Sequence, residues 1–289
     1  MMKIIDTFKN YKDYIEKHLE KEPKEKMELW ESYYNSNFPE VERKCKEDYE
    51  AKGYSWREIE LTKVFNRTKE DFPKVIEGYS NLLKLLKGMD EKVKATFHVD
   101  IDINIVLYSG LLNSAVWVDK YEGKRAMLFG IDKIAELGWQ HEEKIKALVC
   151  HELCHVAHFQ IRGESNLPEH VEHSKYNEGI WNIYEEGFAQ YFQQVLGESS
   201  VDSREEQRSI ECKKIEEQLK EEYIKALGDK EKETRDFYGD WFKVLGISDV
   251  GYFLGSKLIA NLSKRYTIED IAAMEFNLIE KEVLKFLKE

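Results

Sequence analysis

One short stretch of this chain alternates with period two, and nearly everything around it repeats at three and four. Phe97, Val99, Ile101, Ile103, Ile105 and Leu107 fall on every second position, alternating with polar residues up to Asn104. That is the pattern of a strand with one buried face. Ala115 to Val118 and Arg125 to Gly130 read as two further strands, joined by the hairpin turn Tyr121-Glu122-Gly123-Lys124. Elsewhere the period is helical, as in Leu61, Val64, Phe65 and then Val75, Ile76, Tyr79, Leu82, Leu83 and Leu86. Only 4 prolines and 16 glycines interrupt 289 residues, and 35% of the side chains are charged. This is the composition of solvated helix faces, and it argues against a β-sandwich or a collagen-like chain. The expected fold class is α+β and mainly helical.

The chain is expected to fall into three parts. Residues 1–94 read as a helical N-terminal extension punctuated by Gly53, Pro73 and Gly88. Residues 95–200 carry the small sheet and two long helices. The first spans Trp139 to Arg162 and stops at Gly163; the second spans Tyr176 to Leu196 and stops at Gly197. A polar loop with Pro168 joins them. Residues 201–289 read as a helical subdomain, with helices over Ser203 to Leu227, Lys230 to Leu245, Gly251 to Lys264 and Thr267 to the end. Thr267 and Asp270 have the spacing of a capping box.

Charge and cysteine use narrow the class of function. The formal charge is 44 − 56 = −12, the wrong sign for a nucleic-acid partner. Cys45, Cys150, Cys154 and Cys212 show no disulfide spacing, which fits a reducing compartment. The N-terminus has no apolar h-region and no run approaches ~18 apolar residues, so neither a signal peptide nor a membrane partner is expected. A cytoplasmic location is the expectation.

His151-Glu152-Leu153-Cys154-His155 is an H-E-x-x-H sequence inside the first long helix. Residues four apart share a helix face, so both imidazoles can reach one metal, with Glu152 beside them to take a proton from a water. Zinc in a catalytic site needs a third protein ligand and one open position. A histidine six residues after His155 would match the metzincin pattern, but that position is Ile161. His158 is a turn beyond His155, and His170 and His173 lie in the polar loop. The second long helix offers Glu185 and Glu186 beside the small residues Gly187 and Ala189. Its apolar stripe, Ile180, Tyr184, Gly187, Phe188, Tyr191 and Val195, centres nearer Glu185. Cys150 and Cys154 each precede a histidine and sit about 100° round the helix from it, so they read as small buried residues.

His-Glu-Leu-Cys-His followed by Glu-Gly-Phe-Ala resembles the gluzincin metallopeptidases, and the stretch Tyr184 to Tyr191 is similar to the Asn-Glu-Gly-Phe-Ala segment of zinc aminopeptidases. Gly251-Tyr252-Phe253-Leu254-Gly255 further resembles a motif of a bacterial group of uncharacterised predicted zinc-dependent proteases. The resemblance covers roughly residues 95–270. It implies a zincin-like lobe with a small sheet and an active-site helix pair. It also implies Zn2+ held by His151, His155 and Glu186, with Glu152 as general base and Tyr252 as donor to the oxyanion. The implied activity is hydrolysis of a peptide or protein substrate. Ala273-Met274-Glu275-Phe276-Asn277 only faintly matches the substrate-amine motif of aminopeptidases and is read as ordinary helix. The segment Gly110 to Gly130 is the expected place for substrate backbone to pair with a sheet edge. The alternative is a protein of the same fold that binds peptides, or regulates, without efficient turnover.

Overall fold

The sheet occupies two separated pieces of the sequence. In the computed structural model, which describes residues 2–51, 53–59, 63–163, 167–198, 206–229, 234–239 and 242–289, the chain opens with a strand, β1 (Lys3–Asp6). Helices α1 (Phe8–Glu16), α2 (Pro23–Asn37), α3 (Pro39–Ala51), α4 (Trp56–Ile59), α5 (Thr68–Leu86) and α6 (Met89–Phe97) follow. Then come β2 (Asn104–Tyr108), β3 (Val116–Tyr121), β4 (Lys124–Gly130) and α7 (Ile131–Glu136). The remainder is helical: α8 (Glu142–Arg162), α9 (Lys175–Leu196), α10 (Glu206–Lys214), α11 (Glu216–Gly228), a short 3₁₀ turn (Thr234–Phe237), α12 (Val250–Leu262), α13 (Ile268–Ala272) and α14 (Phe276–Lys288). The protein is therefore mainly helical α+β, and among the described residues no helix is long and apolar enough to cross a membrane.

Two compact units emerge: Met1–Asp90 with Asp102–Ile145, and Glu91–Ile101 with Lys146–Glu289. The grouping joins the sheet to the helices before it, and so cuts the chain differently from the three segments read off the sequence pattern. In the first unit the strand order is β1-β2-β4-β3. β1 and β4 both run parallel to β2, while β3 pairs antiparallel with β4 as an edge strand. All five residues of β2 are buried, as in a central strand covered on both faces.

The alternating run from Phe97 to Leu107 is not one strand. Phe97 ends α6, and His98 takes a left-handed backbone (φ 56°) that closes the helix. Only the last part enters the sheet, although Ile101 and Ile103 are buried as well. The pattern of every second residue being apolar thus spans a helix end, a linker and a strand. The strand β1 lies within the segment read as helical; it is a short edge strand with half its residues exposed, which leaves no alternation to see. The hairpin is present as expected: Glu122 and Gly123 both have positive φ, 51° and 74°, as a two-residue primed turn requires. Pro73 does not punctuate the helices but lies inside α5.

The second unit is organised on α9, which is capped by the Ser174 hydroxyl accepting from Asn177 N. α9 buries residues around most of its circumference, against α12, α14 and α11. The closest approach is to α12. A Cβ on Gly187 would lie 2.4 Å from the Gly255 carbonyl oxygen, and one on Gly255 would lie 2.5 Å from that of Ile183. The two backbones touch directly, and any larger side chain would part them.

Three helices predicted from the sequence are shorter than expected. The stretch Ser203 to Leu227 is broken at Ile215 into α10 and α11, and residues 199–205 lie outside the described residues. Lys230 to Leu245 contains the 3₁₀ turn, and Val244 near its end bridges to Ile247 beyond it; residues 230–233 and 240–241 are again outside the described residues. The C-terminal helix is split at Ala273 to Glu275. That joint is the Ala273–Asn277 segment read as ordinary helix, and its Met274 carbonyl accepts from Arg162 Nη1 at 2.6 Å. The capping box is formed: Thr267 Oγ1 accepts from Asp270 N, and Asp270 Oδ2 accepts from Thr267 N.

Gly255→Ala is expected to destabilise the protein by about 1–3 kcal/mol, the scale of overpacking a fitted contact. Gly228→Ala, where an added Cβ meets nothing within 4 Å, should be neutral or stabilise by up to about 1 kcal/mol. Urea midpoints of the two variants check this; equal midpoints would mean that the α9–α12 contact gives way freely.

Candidate metal site

α8 is fixed by buried Ile145, Val149, Cys150, Leu153, Cys154, Val156 and Ala157. These leave little rotational freedom, so the i, i+4 pair His151 and His155 faces one direction. The rings lie 4.8 Å apart, edge to face. Glu186, on α9, reaches the same point. Its neighbour Gly187 seats α9 against α12, so the crossing of those two helices sets where Glu186 sits.

Three atoms define the site. His151 Nε2 and His155 Nε2 are 3.2 Å apart. Glu186 Oε2 lies 3.3 Å from the first and 3.4 Å from the second. An ion about 2.0–2.1 Å from three tetrahedral ligands sets those ligands about 3.3–3.4 Å from one another. The triangle has that size on all three edges. Hydrogen bonding accounts for the triangle only in part. The two histidine nitrogens can share a proton, but Glu186 Oε2 is buried and has no well-formed hydrogen bond, although both imidazole nitrogens lie within 3.3–3.4 Å of it. A buried carboxylate oxygen left in that state is costly unless a cation completes it. Two imidazoles and a carboxylate are a donor set that suits zinc, and no other group of this kind is found among the described residues.

The electrostatics fit a cation-binding cradle. Burial disfavours charge on both His155 and Glu186, but each is overcome by the other. His155 is raised to about 9, against its own desolvation, chiefly by the Glu186 carboxylate with Glu185 and Glu152 adding to it. Glu186 is held far below the ordinary carboxylate range by His155 and His151 despite its burial. A proton shared into this triangle thus stands where a metal ion would.

The other residues singled out in the sequence separate cleanly. Tyr252, near the start of α12, places its ring 5.8 Å from that of His151. Glu152 is half-buried, one residue after His151. Glu185 turns aside and accepts from Trp181 Nε1 at 2.8 Å, so the glutamate nearer the centre of the apolar stripe is not the one that lies beside the two histidines. α9 is buried nearly all round, and the stripe's centre therefore carries no information about which flank faces α8. His158 is buried between Tyr184 and Phe188, with Nε2 3.1 Å from the Tyr184 hydroxyl. Burial, then the nearby His155 and Arg162, push it down to about 3, so it is a neutral core histidine. His170 and His173 are exposed. Burial raises Cys150 to about 11 and Cys154 well above the ordinary thiol, which makes both poor thiolates. Tyr238, whose ring meets Tyr252 at 5.3 Å, was not anticipated. Its only trace in the sequence is Gly251, where a Cβ would lie 2.5 Å from the Tyr238 ring.

No protein-family model, curated protein or solved structure matches this chain.

The charge balance makes the metal-free protein pH-sensitive. The His155 contribution to stability is fully present below pH 6.5 and is lost as pH rises through about 9. The Glu186 contribution is present above pH 4.5 and is lost as pH falls through its depressed value. At pH 7.5 a bound divalent ion must displace the His155 proton, so binding is expected to release about one proton. Calorimetric titration of zinc in buffers of different ionisation enthalpy measures that number. A value near zero would mean that His155 is already neutral in the metal-free protein.

Proposed function

We propose that this chain is a zinc-dependent peptidase of gluzincin type, with His151, His155 and Glu186 as metal ligands, Glu152 as general base and Tyr252 as oxyanion donor. The observation that carries the reading is the ligand triangle: two imidazoles of an H-E-x-x-H helix and one carboxylate of a second helix, at the mutual spacing of tetrahedral zinc ligands.

Zinc bound there supplies Lewis acidity, which makes a water nucleophilic near neutral pH and polarises a substrate carbonyl. The protein's residues supply the rest. The motif helix holds Glu152 next to His151, half-buried and partly open to solvent. Its carboxylate takes the proton from the attacking water and passes it to the leaving amine. Tyr252 brings a phenol to the His151 side of the site, where its hydroxyl donates to the substrate oxygen as negative charge develops. Glu186 and the two histidines would be the protein ligands of the ion, leaving room beside it for substrate or water. A protein that merely bound peptides would have no use for Glu152, which favours turnover over the binding-only alternative.

Purified protein is expected to hold about one zinc per chain. Glu152→Gln should keep that metal and lower peptide hydrolysis about 10²- to 10⁴-fold, the usual range for a lost general base. A metal-loaded variant with full activity would remove Glu152 from the chemistry. Metal bound without cleavage of a diverse peptide library by the wild type would favour the binding-only alternative.

Glu186→Ala is expected to lose tight zinc binding, while Glu185→Ala retains it. Elemental analysis after dialysis distinguishes them; the reverse result would assign the third ligand to Glu185.

A further inference from the structure

Tyr252 is held from two sides. Its ring meets His151 edge to face on one side, at 5.8 Å, and Tyr238 edge to face on the other, at 5.3 Å and 85°. Tyr238 is buried and tightly fixed. Its ring lies against Gly251, the residue before Tyr252, so closely that a Cβ there would come within 2.5 Å. Its hydroxyl is 3.1 Å from that of Tyr223, which in turn donates to the Gly179 carbonyl of α9 at 2.9 Å. The next residue, Gly239, donates its backbone N–H to Asp249 Oδ1 at 2.7 Å, at the start of α12. A line of three tyrosines therefore runs from the backbone of α9 to the phenol beside the metal ligands. Every member except the last is buried.

We propose that Tyr238 is the positioning residue that fixes the Tyr252 ring against His151, so that the phenol is already aimed when substrate arrives. This deepens, and rests on, the peptidase reading above. A side chain held by one contact samples several rotamers; one wedged between two rings and a helix start does not. Fixing a transition-state donor raises turnover without tightening substrate binding, because its contact is made only as charge develops. The ring of Tyr238 does the wedging, and its hydroxyl only anchors that ring to Tyr223. Phenylalanine should therefore serve nearly as well as tyrosine, and an aliphatic residue should not.

The test uses the full-length zinc-loaded protein with Y238F and Y238L, each alone and combined with Y252F. Y238L is expected to lower kcat about tenfold or more, the scale of a misaligned catalytic group, with KM and zinc content unchanged. Y238F should stay close to wild type. Adding Y238L to Y252F should cause no further fall, because Tyr238 acts only through Tyr252. Fluorine NMR of protein grown with 3-fluorotyrosine, with the Tyr252 signal identified by its loss in Y252F, reads the ring's position directly. That signal should move or broaden in Y238L and stay in place in Y238F. Y238M takes the place of Y238L if the latter does not fold. An unmoved Tyr252 signal in Y238L, or an equal fall in kcat with and without Tyr252, overturns the proposal. If the wild type hydrolyses no peptide, the peptidase reading fails by itself, and the fluorine signal still decides whether Tyr238 holds Tyr252.

Discussion

The contact between Gly187 and Gly255 is the constraint from which the site follows. At that crossing the α9 and α12 backbones meet with no side chain between them. Helix pairs usually keep about 8–10 Å between axes because side chains fill the gap. Here the missing side chains let two short polar reaches suffice. Glu186 precedes Gly187, and Tyr252 lies one turn before Gly255. Both are carried by the crossing to the histidines of α8. Moving the helices apart would displace the carboxylate and the phenol together, although neither would have changed.

Stability and binding pull in opposite directions at this point. A carboxylate and two imidazoles enclosed in protein cannot all be satisfied by one another. The metal-free protein answers with a proton: His155 is raised to about 9 while Glu186 is held ionised. A divalent ion held there would present charge to all three atoms at once. The rest of the unit shows the contrast. His158, one turn further along α8, is buried beside Tyr184 and aromatic faces; burial, then His155 and Arg162, push it down to about 3, and it stays neutral. Two histidines on one helix, three residues apart, are thus driven in opposite directions by whether a carboxylate faces them.

The features legible in the sequence were those decided locally. The i, i+4 spacing of His151 and His155, the Glu122-Gly123 turn and the Thr267 capping box each depend on a few adjacent residues, and each is formed. What the pattern hid was decided at long range. β1 is a strand only because β2, about a hundred residues later, pairs with it. The run from Phe97 to Leu107 imitates one strand because buried positions in a helix end, a linker and a strand happen to fall two apart. The breaks at Ile215 and Ala273 carry no glycine or proline to announce them.

The pair Glu185 and Glu186 shows why motif resemblance and periodicity disagreed. Periodicity locates the core side of a helix on the assumption that the helix has one. α9 is buried by α12, α14 and α11 on different flanks, so its two glutamates both lie at the margins of packed surface. Each needs a partner, and each has a different one. Trp181, four residues before Glu185 on the same helix, donates its indole N–H there and covers that flank. Glu186, about 100° round the helix, has no such donor within its own helix and is met by the histidines of α8 instead. The residue that finds its hydrogen bond locally turns away from the histidines, and the one that does not is left facing them.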